Sequence, residues 1–223
     1  MSSPRKHAVV TGASSGIGAA VAGRLLDDGW RVTALCRSEP DARAEWIRAD
    51  LAGDFRGALG SVPEVDAVVH AAGLQRSAPL GSLSTEDGLQ MWAVHVSAAE
   101  VLVDELSGRL AEGGRVVLIG SRTMVGVPGK SQYAATKAAL SALARSWAAE
   151  LAPRGVTVNV VAPGPTDTPM LRDPGRSSTP VRVPPLGRLV TPGEVGALTA
   201  FLLGPSGGSI TGQTVVVCGG ASL

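Results

Sequence analysis

Tyr133 and Lys137 stand four residues apart in the run Ser131-Gln132-Tyr133-Ala134-Ala135-Thr136-Lys137. On a helix that spacing puts both on one face, one turn from each other. A phenol with an ordinary pKa of about 10 is a poor acid–base group at neutral pH, and a nearby ammonium draws it toward the working range. Ser121 follows the apolar run Val116–Ile119 and Gly120. That is the carboxyl end of an expected strand, where open α/β sheets place their ligands. Tyr133 is the only tyrosine in the chain and Lys137 is one of three lysines, so the pair has no rival elsewhere.

A second constellation lies near the start. A short apolar strand runs into Thr11-Gly12-Ala13-Ser14-Ser15-Gly16-Ile17-Gly18 and then a helical stretch. Glycines let the backbone turn sharply beside a pyrophosphate, whose charge suits the free N–H groups of the helix start. The spacing to the next strand fits a dinucleotide-binding unit. That second strand ends Ala34-Leu35-Cys36-Arg37-Ser38. An acid there would bond the ribose 2′-OH of NAD, whereas an arginine accommodates the 2′-phosphate of NADP. Cys36 holds the acid's place and Arg37 follows, which favours NADP(H) over NAD(H). The competing reading of Arg37 is a solvated surface charge. Asp50 and Leu51 either reach the adenine edge or begin the next helix, with Asp50 as its cap.

These residues need a scaffold, and the chain provides an alternating one. Strands are expected at Ala8–Thr11, Arg31–Cys36, Glu45–Ala49, Ala67–His70, Val116–Ile119, Val156–Val161 and Thr214–Val217. Most are apolar on both faces, as in a parallel sheet covered on both sides. Helices are expected at Gly16–Asp28, Met91–Ala111, Ser131–Leu151 and Thr191–Leu203, with only a short one between Ala52 and Pro63. The predicted fold is therefore α/β, a doubly wound parallel sheet of about seven strands with helices on both faces. With 223 residues and no long linker, one domain spanning 1–223 is expected.

Composition narrows the function classes. Twenty Lys+Arg against 19 Asp+Glu argue against nucleic acid or an anionic membrane as the main partner. No apolar run approaches the roughly 18 residues of a membrane helix, and no secretory signal pattern opens the chain. Cys36 and Cys218 are too few for a disulfide framework or a metal cluster, and no metal is expected. A cytoplasmic protein is the expectation.

Taken together, TGASSGIG, the strand-end Ser121, YAATK and the run Asn159-Val160-Val161-Ala162-Pro163-Gly164-Pro165-Thr166-Asp167-Thr168 resemble the short-chain dehydrogenase/reductase family, in its short reductase-type branch. The motifs run in family order from Thr11 to Gly219-Gly220, over nearly the whole chain. The resemblance implies an NADP(H)-dependent enzyme reducing a carbonyl or oxidising the matching alcohol. Tyr133 would be the general acid/base, Lys137 would lower its pKa and bond the nicotinamide ribose, and Ser121 would orient the substrate carbonyl. Gly12, Ser14, Ser15, Gly16, Ile17, Gly18, Ala71, Ala72 and Gly73 would border the dinucleotide, as would Pro163, Gly164, Thr166 and Thr168. The resemblance also implies a homodimer or homotetramer, packed through the helices Met91–Ala111 and Ser131–Leu151, with a second interface near Cys218.

Three departures mark this chain. His95 stands where the family has an asparagine that holds a water in a proton relay to the lysine. It either holds that water, and must then stay neutral for activity, or is a satisfied core histidine. His70-Ala71-Ala72-Gly73 replaces Asn-Asn-Ala-Gly, so Ala71 loses the side chain that would brace the sheet beside the cofactor. The segment between Asp50 and Asp66 is short. The substrate lid, around residues 165–192, carries Arg172, Arg176 and Arg182 among Pro174, Pro180, Pro184 and Pro185. Those arginines either clamp a carboxylate or phosphate or keep a flap solvated. Two other functions fit the same fold: a dinucleotide sensor or scaffold without turnover, and a dehydratase or isomerase. The intact Ser121, Tyr133 and Lys137 set favours the oxidoreductase over a pure binder.

Overall fold

The inner strands carry two apolar faces, and the sheet buries both. A computed structural model describes residues 5–176 and 181–223. The chain runs β1 (His7–Thr11), α1 (Gly16–Asp27), β2 (Arg31–Cys36), β3 (Glu45–Arg48), β4 (Val65–His70), α2 (Thr85–Trp92), α3 (Ala98–Ser107), β5 (Leu110–Ile119), α4 (Ser131–Leu151), β6 (Thr157–Pro163), α5 (Pro192–Leu203) and β7 (Thr214–Val217). All neighbouring strands pair parallel, in the order β3-β2-β1-β4-β5-β6-β7. The period of two then sorts side chains between two cores. Val9, Val68, Val116, Leu118 and Val160 pack with Leu102, Leu106 and Leu140. Their neighbours Val10, Val69, Val117 and Val161 pack on the opposite face with Val21, Leu25 and Leu202. The order of strands reverses between β1 and β4, and the crevice beyond their carboxyl ends is where such a sheet receives a ligand.

Apart from shifts of one or two residues at several element ends, the differences from the sequence expectation centre on the helix expected at Met91–Ala111 and the strand after it. The helix expected at Met91–Ala111 begins at Thr85, where Ser84 accepts a hydrogen bond from Asp87 N and Glu86 and Asp87 occupy the first turn. A π-helical turn, Ala93–Ser97, separates α2 from α3. Leu110 and Ala111 belong to β5, since Val65 pairs with Leu110. Between Asp50 and Asp66 the only helical piece is a 3₁₀ segment, Arg56–Ser61.

The expected lid is closed at its base by a bridge between Thr166 and Val190, with Asp167 N donating to Val190 O and Val190 N to Pro165 O. Within it lie 3₁₀ turns at Pro169–Arg172 and Pro174–Arg176. Pro180 lies outside the described residues. Among the described residues no helix is long and apolar enough to cross a membrane, and no cluster of metal-ligating side chains forms.

Candidate active site

One cavity of about 1230 Å³ opens over the carboxyl ends of the strands. Gly12, Ser14, Ser15, Gly16, Ile17 and Gly18 line it, as do Arg37, Asp50 and Leu51. So do Ala71, Ala72, Gly73, Ser121, Tyr133, Lys137, Pro163, Gly164, Thr166 and Thr168. His95, fully buried, does not reach it.

The glycine loop is shaped for close approach. Gly12 has φ +66°, and a Cβ there would lie 2.8 Å from Ala72 Cα. A Cβ on Gly18 would lie 2.2 Å from Gly12 O. Larger residues at either position would push the loop off the β4 end. Ser15 precedes α1 without a side-chain cap, whereas Thr191 forms a full capping box with Glu194 at the start of α5. The first-turn amides of α1 therefore face the cavity without a side-chain acceptor, which is the donor set a pyrophosphate needs. At the end of β2 the Cys36 thiol donates to Ser38 O at 3.1 Å, and burial pushes its pKa up. Cys36 and Arg37, not a carboxylate, occupy the last residues of that strand and its exit. Arg37 is exposed and makes no ion pair among the described residues.

The substitution at Ala71 is compensated from β1. Thr11 Oγ1 accepts from Ala71 N at 3.0 Å and Ala72 N at 3.1 Å. Its hydroxyl then donates to His70 Nδ1 at 3.0 Å, leaving His70 Nε2–H to donate to Val94 O at 3.1 Å. The brace missing from residue 71 is thus supplied by Thr11 and His70. Burial, with the Lys137 charge, holds His70 at a pKa of about 3, so it is neutral.

At the catalytic end, α4 presents Tyr133 and Lys137 side by side, both buried. Lys137 Nζ donates to Ile119 O at 2.9 Å and lies 6.0 Å from the Tyr133 ring centroid. Burial lowers its pKa to about 7. Burial raises the Tyr133 phenol, while the Ser121 hydroxyl and the charge of Arg176 pull it back down. Arg176 thus stands with Lys137 as a second cation beside the phenol. Ser121 Oγ accepts from Thr123 N at 3.2 Å and lies 2.9 Å from Thr123 Oγ1. With Thr123 donating, the Ser121 proton is free to point into the cavity.

His95 requires a correction. Leu74 N donates to His95 Nε2 at 3.1 Å, so Nδ1 carries the proton and donates to Thr136 Oγ1 at 2.9 Å. Thr136 in turn donates to Tyr133 O at 2.9 Å. Neither ring nitrogen is left for a relay water. Burial, Lys137 and His70 hold the ring's pKa well below its ordinary value, so it does not charge in the working range. His95 instead ties the loop after β4 to the helix that carries Tyr133.

Sequence reasoning missed Thr11, Thr123 and Thr136 as site residues, because a threonine hydroxyl that bonds backbone groups and neighbouring side chains carries no sequence signature. It also missed Arg122 and Lys130, which line the cavity beside Ser121 and Tyr133.

A family model described as enoyl-(acyl carrier protein) reductase matches residues 12–222. The 3-oxoacyl-(acyl-carrier-protein) reductase of Vibrio cholerae is 34% identical over 243 residues, covering 96% of each chain. The 3β-hydroxysteroid dehydrogenase 1 of Eggerthella lenta is 30% identical over 245 residues, covering 98% of this chain and 94% of its own. A short-chain dehydrogenase from Burkholderia cenocepacia, solved in complex with NADP, superposes with a TM-score of 0.85 at 35% identity, covering 98% of both chains.

Proposed function

The chain belongs to the short-chain dehydrogenase/reductase family of oxidoreductases, and from that premise we propose that it is a single-domain cytoplasmic enzyme reducing a carbonyl group with NADPH, or oxidising the matching alcohol. The observation that carries this reading is the meeting of Ser121, Tyr133 and Lys137 in the cavity that also holds the glycine loop. A nicotinamide cofactor bound there supplies the hydride. The α1 amides and Gly12, Gly16 and Gly18 would hold its pyrophosphate, and Arg37 its 2′-phosphate, with the uncharged Cys36 offering no repulsion.

The protein's own part is position and proton. Ser121 donates to the substrate oxygen and fixes the carbonyl beside Tyr133. The Tyr133 hydroxyl hands its proton to that oxygen as negative charge develops on it. Lys137, one turn away, stabilises the phenolate left behind. His95 and Thr136 are positioning residues for this helix and touch no reacting atom.

NADPH consumption with a panel of ketones, followed by absorbance, tests the reading. Tyr133→Phe should lower kcat by ~10³-fold, within the range for a lost general acid, while NADPH binding is kept. A Tyr133→Phe enzyme with most of its kcat would overturn the assignment. A relative named for a 3-oxoacyl-(acyl-carrier-protein) and one named for a 3β-hydroxysteroid leave the substrate open by kinship alone. Assembly as a dimer or tetramer through α3 and α4 belongs to the same proposal, and light scattering showing a monomer at micromolar concentration would reject it.

A further inference from the structure

Seven basic side chains and two acidic ones line the cavity. Lys137 serves the proton step and Arg37 the adenosine end. Arg76 is paired, with Asp173 at 3.2 Å and Asp87 at 3.8 Å, and Arg182 is exposed. Three cations remain around Tyr133: Arg122, Lys130 and Arg176. Arg122 directly follows Ser121, and its Nε is buried without a hydrogen-bond partner. Lys130 caps α4 three residues before Tyr133. Arg176, in the lid, is only 8% exposed, and its guanidinium has neither an ion pair nor a hydrogen bond among the described residues. Lys130 feels the other two, since Arg176 and Arg122 add to burial in lowering its pKa. The acid whose charge acts on Arg176 is Asp173, whose carboxylate already takes Arg76 Nη1 and accepts from Gly175 N at 2.7 Å.

The other lid arginines behave differently. Arg172 is 70% exposed and pairs with Asp167 at 2.7 Å. Burying an unpaired guanidinium is costly, and an incoming anion offsets that cost. A guanidinium also takes a carboxylate in a two-pronged bond that fixes its orientation.

Resting on the oxidoreductase reading above, we infer that Arg176, supported by Arg122 and Lys130, anchors a carboxylate of the substrate, and that the enzyme acts on short oxo acids. The spacer is short because Arg176 and Tyr133 line one cavity, near enough for the charge of Arg176 to act on the phenol. A molecule whose carbonyl meets Tyr133 and whose anion meets Arg176 carries the two groups only a few atoms apart. The phosphate of a phosphopantetheine thioester, at the far end of its arm, does not meet that condition. In the reduction the carbonyl carbon gains the hydride, the oxygen gains the Tyr133 proton, and a hydroxy acid leaves. The carboxylate takes no part in bond making.

The test compares kcat/KM for 4-oxopentanoate and its methyl ester with NADPH in the wild type, Arg176→Met, Arg176→Lys and Arg172→Met. The wild type should prefer the acid by at least ~10-fold, the scale of a charge-assisted hydrogen bond. Arg176→Met should bring the acid-to-ester ratio to about one, mainly through KM for the acid. Arg176→Lys, keeping the charge without the fork, should fall between, and Arg172→Met should keep the wild-type ratio. A wild-type ratio near one, or a ratio unchanged in Arg176→Met, overturns the anchor. Calorimetric titration of pentanoate against pentanamide, into protein saturated with NADP, separates this from failure of the oxidoreductase reading. Pentanoate binding that is lost in Arg176→Met and kept in Tyr133→Phe supports the anchor even if no ketone is turned over. Equal binding of acid and amide, or no pentanoate binding, rejects it.

Discussion

Beneath the floor of the cavity His70, His95 and Lys137 are buried together, and each is pushed toward its uncharged form by burial. Every polar atom of the histidine rings there has a named partner, and Lys137 Nζ is held by Ile119 O. In and beside the lid, Arg172 with Asp167 and Arg188 with Glu194 form exposed pairs, whereas Arg176 lines the cavity rim with no pair among the described residues. Exposed pairs of this kind contribute little to stability. Satisfied, desolvated networks hold a geometry, whereas unsatisfied charge waits for a ligand. The floor thus fixes where the proton sits, and the rim selects what arrives.

Replacing Lys137 should break that contrast most sharply. Its folded pKa, about 7, lies below the ordinary 10.5. Between those values the unfolded chain binds more protons than the native one, so this group makes stability rise with pH across the window. Below pH 7 the full penalty is present, a few kcal/mol. Lys137→Met removes it, against ~1–3 kcal/mol for leaving Ile119 O unpartnered. Turnover should be lost by at least ~10²-fold, yet the melting temperature at pH 6.5 should rise. Near pH 10 that gain should vanish. Calorimetric melts at pH 6.5 and pH 10 decide the matter, and a lower melting temperature at the acid end would show that Lys137 is charged and well solvated.

Much of this scaffold was legible in residue pattern. β2, α4 and β7 fall at Arg31–Cys36, Ser131–Leu151 and Thr214–Val217, the bounds expected from apolar runs and the breakers flanking them. The glycine loop and the Tyr133–Lys137 register were legible because local spacing alone sets their geometry. The π-helical turn at Ala93–Ser97 was not, because its composition is that of an ordinary helix. Nor was the start of β5, where Gly113 and Gly114 interrupt the apolar pattern. In the site, Arg176 could not be told from Arg172 or Arg182, since burial is a property of packing. The Thr11 brace joins groups about 60 residues apart through backbone donors.

His95 offers a middle-sized effect that sharpens the account of the floor. His95→Ala leaves Leu74 N–H and the Thr136 hydroxyl without their ring partner and opens a void, which should cost ~2–4 kcal/mol. Looser seating of α4 should lower kcat with KM for the cofactor nearly unchanged. His95→Asn, whose amide can serve part of the network, should recover most of the stability and the rate. Because the ring does not charge in the working range, the acid side of the kcat–pH profile should be the same in the wild type and in His95→Asn. An acid limb present in the wild type and absent in His95→Asn would return His95 to a titrating role.

The smallest effect tests the adenosine end, where the rim's logic of unpaired charge recurs at Arg37. Its side chain is exposed and lines the cavity near Ser38, Asp50 and Leu51. It makes no structural pair that its loss would break. Arg37→Ser should therefore leave the melting temperature unchanged. If Arg37 binds a 2′-phosphate, NADPH should lose ~1–3 kcal/mol of affinity in this variant. That loss should shrink as salt rises, because the contact is exposed and screened. NADH has no phosphate there and should bind the variant as it binds the wild type. Fluorescence titrations of both dinucleotides into both proteins, at low and high salt, give four comparisons. Equal losses for NADPH and NADH would mean that Arg37 acts on the shared adenosine, for instance by stacking on adenine. A wild type that prefers NADH would mean that the uncharged end of β2 does not set the choice of cofactor.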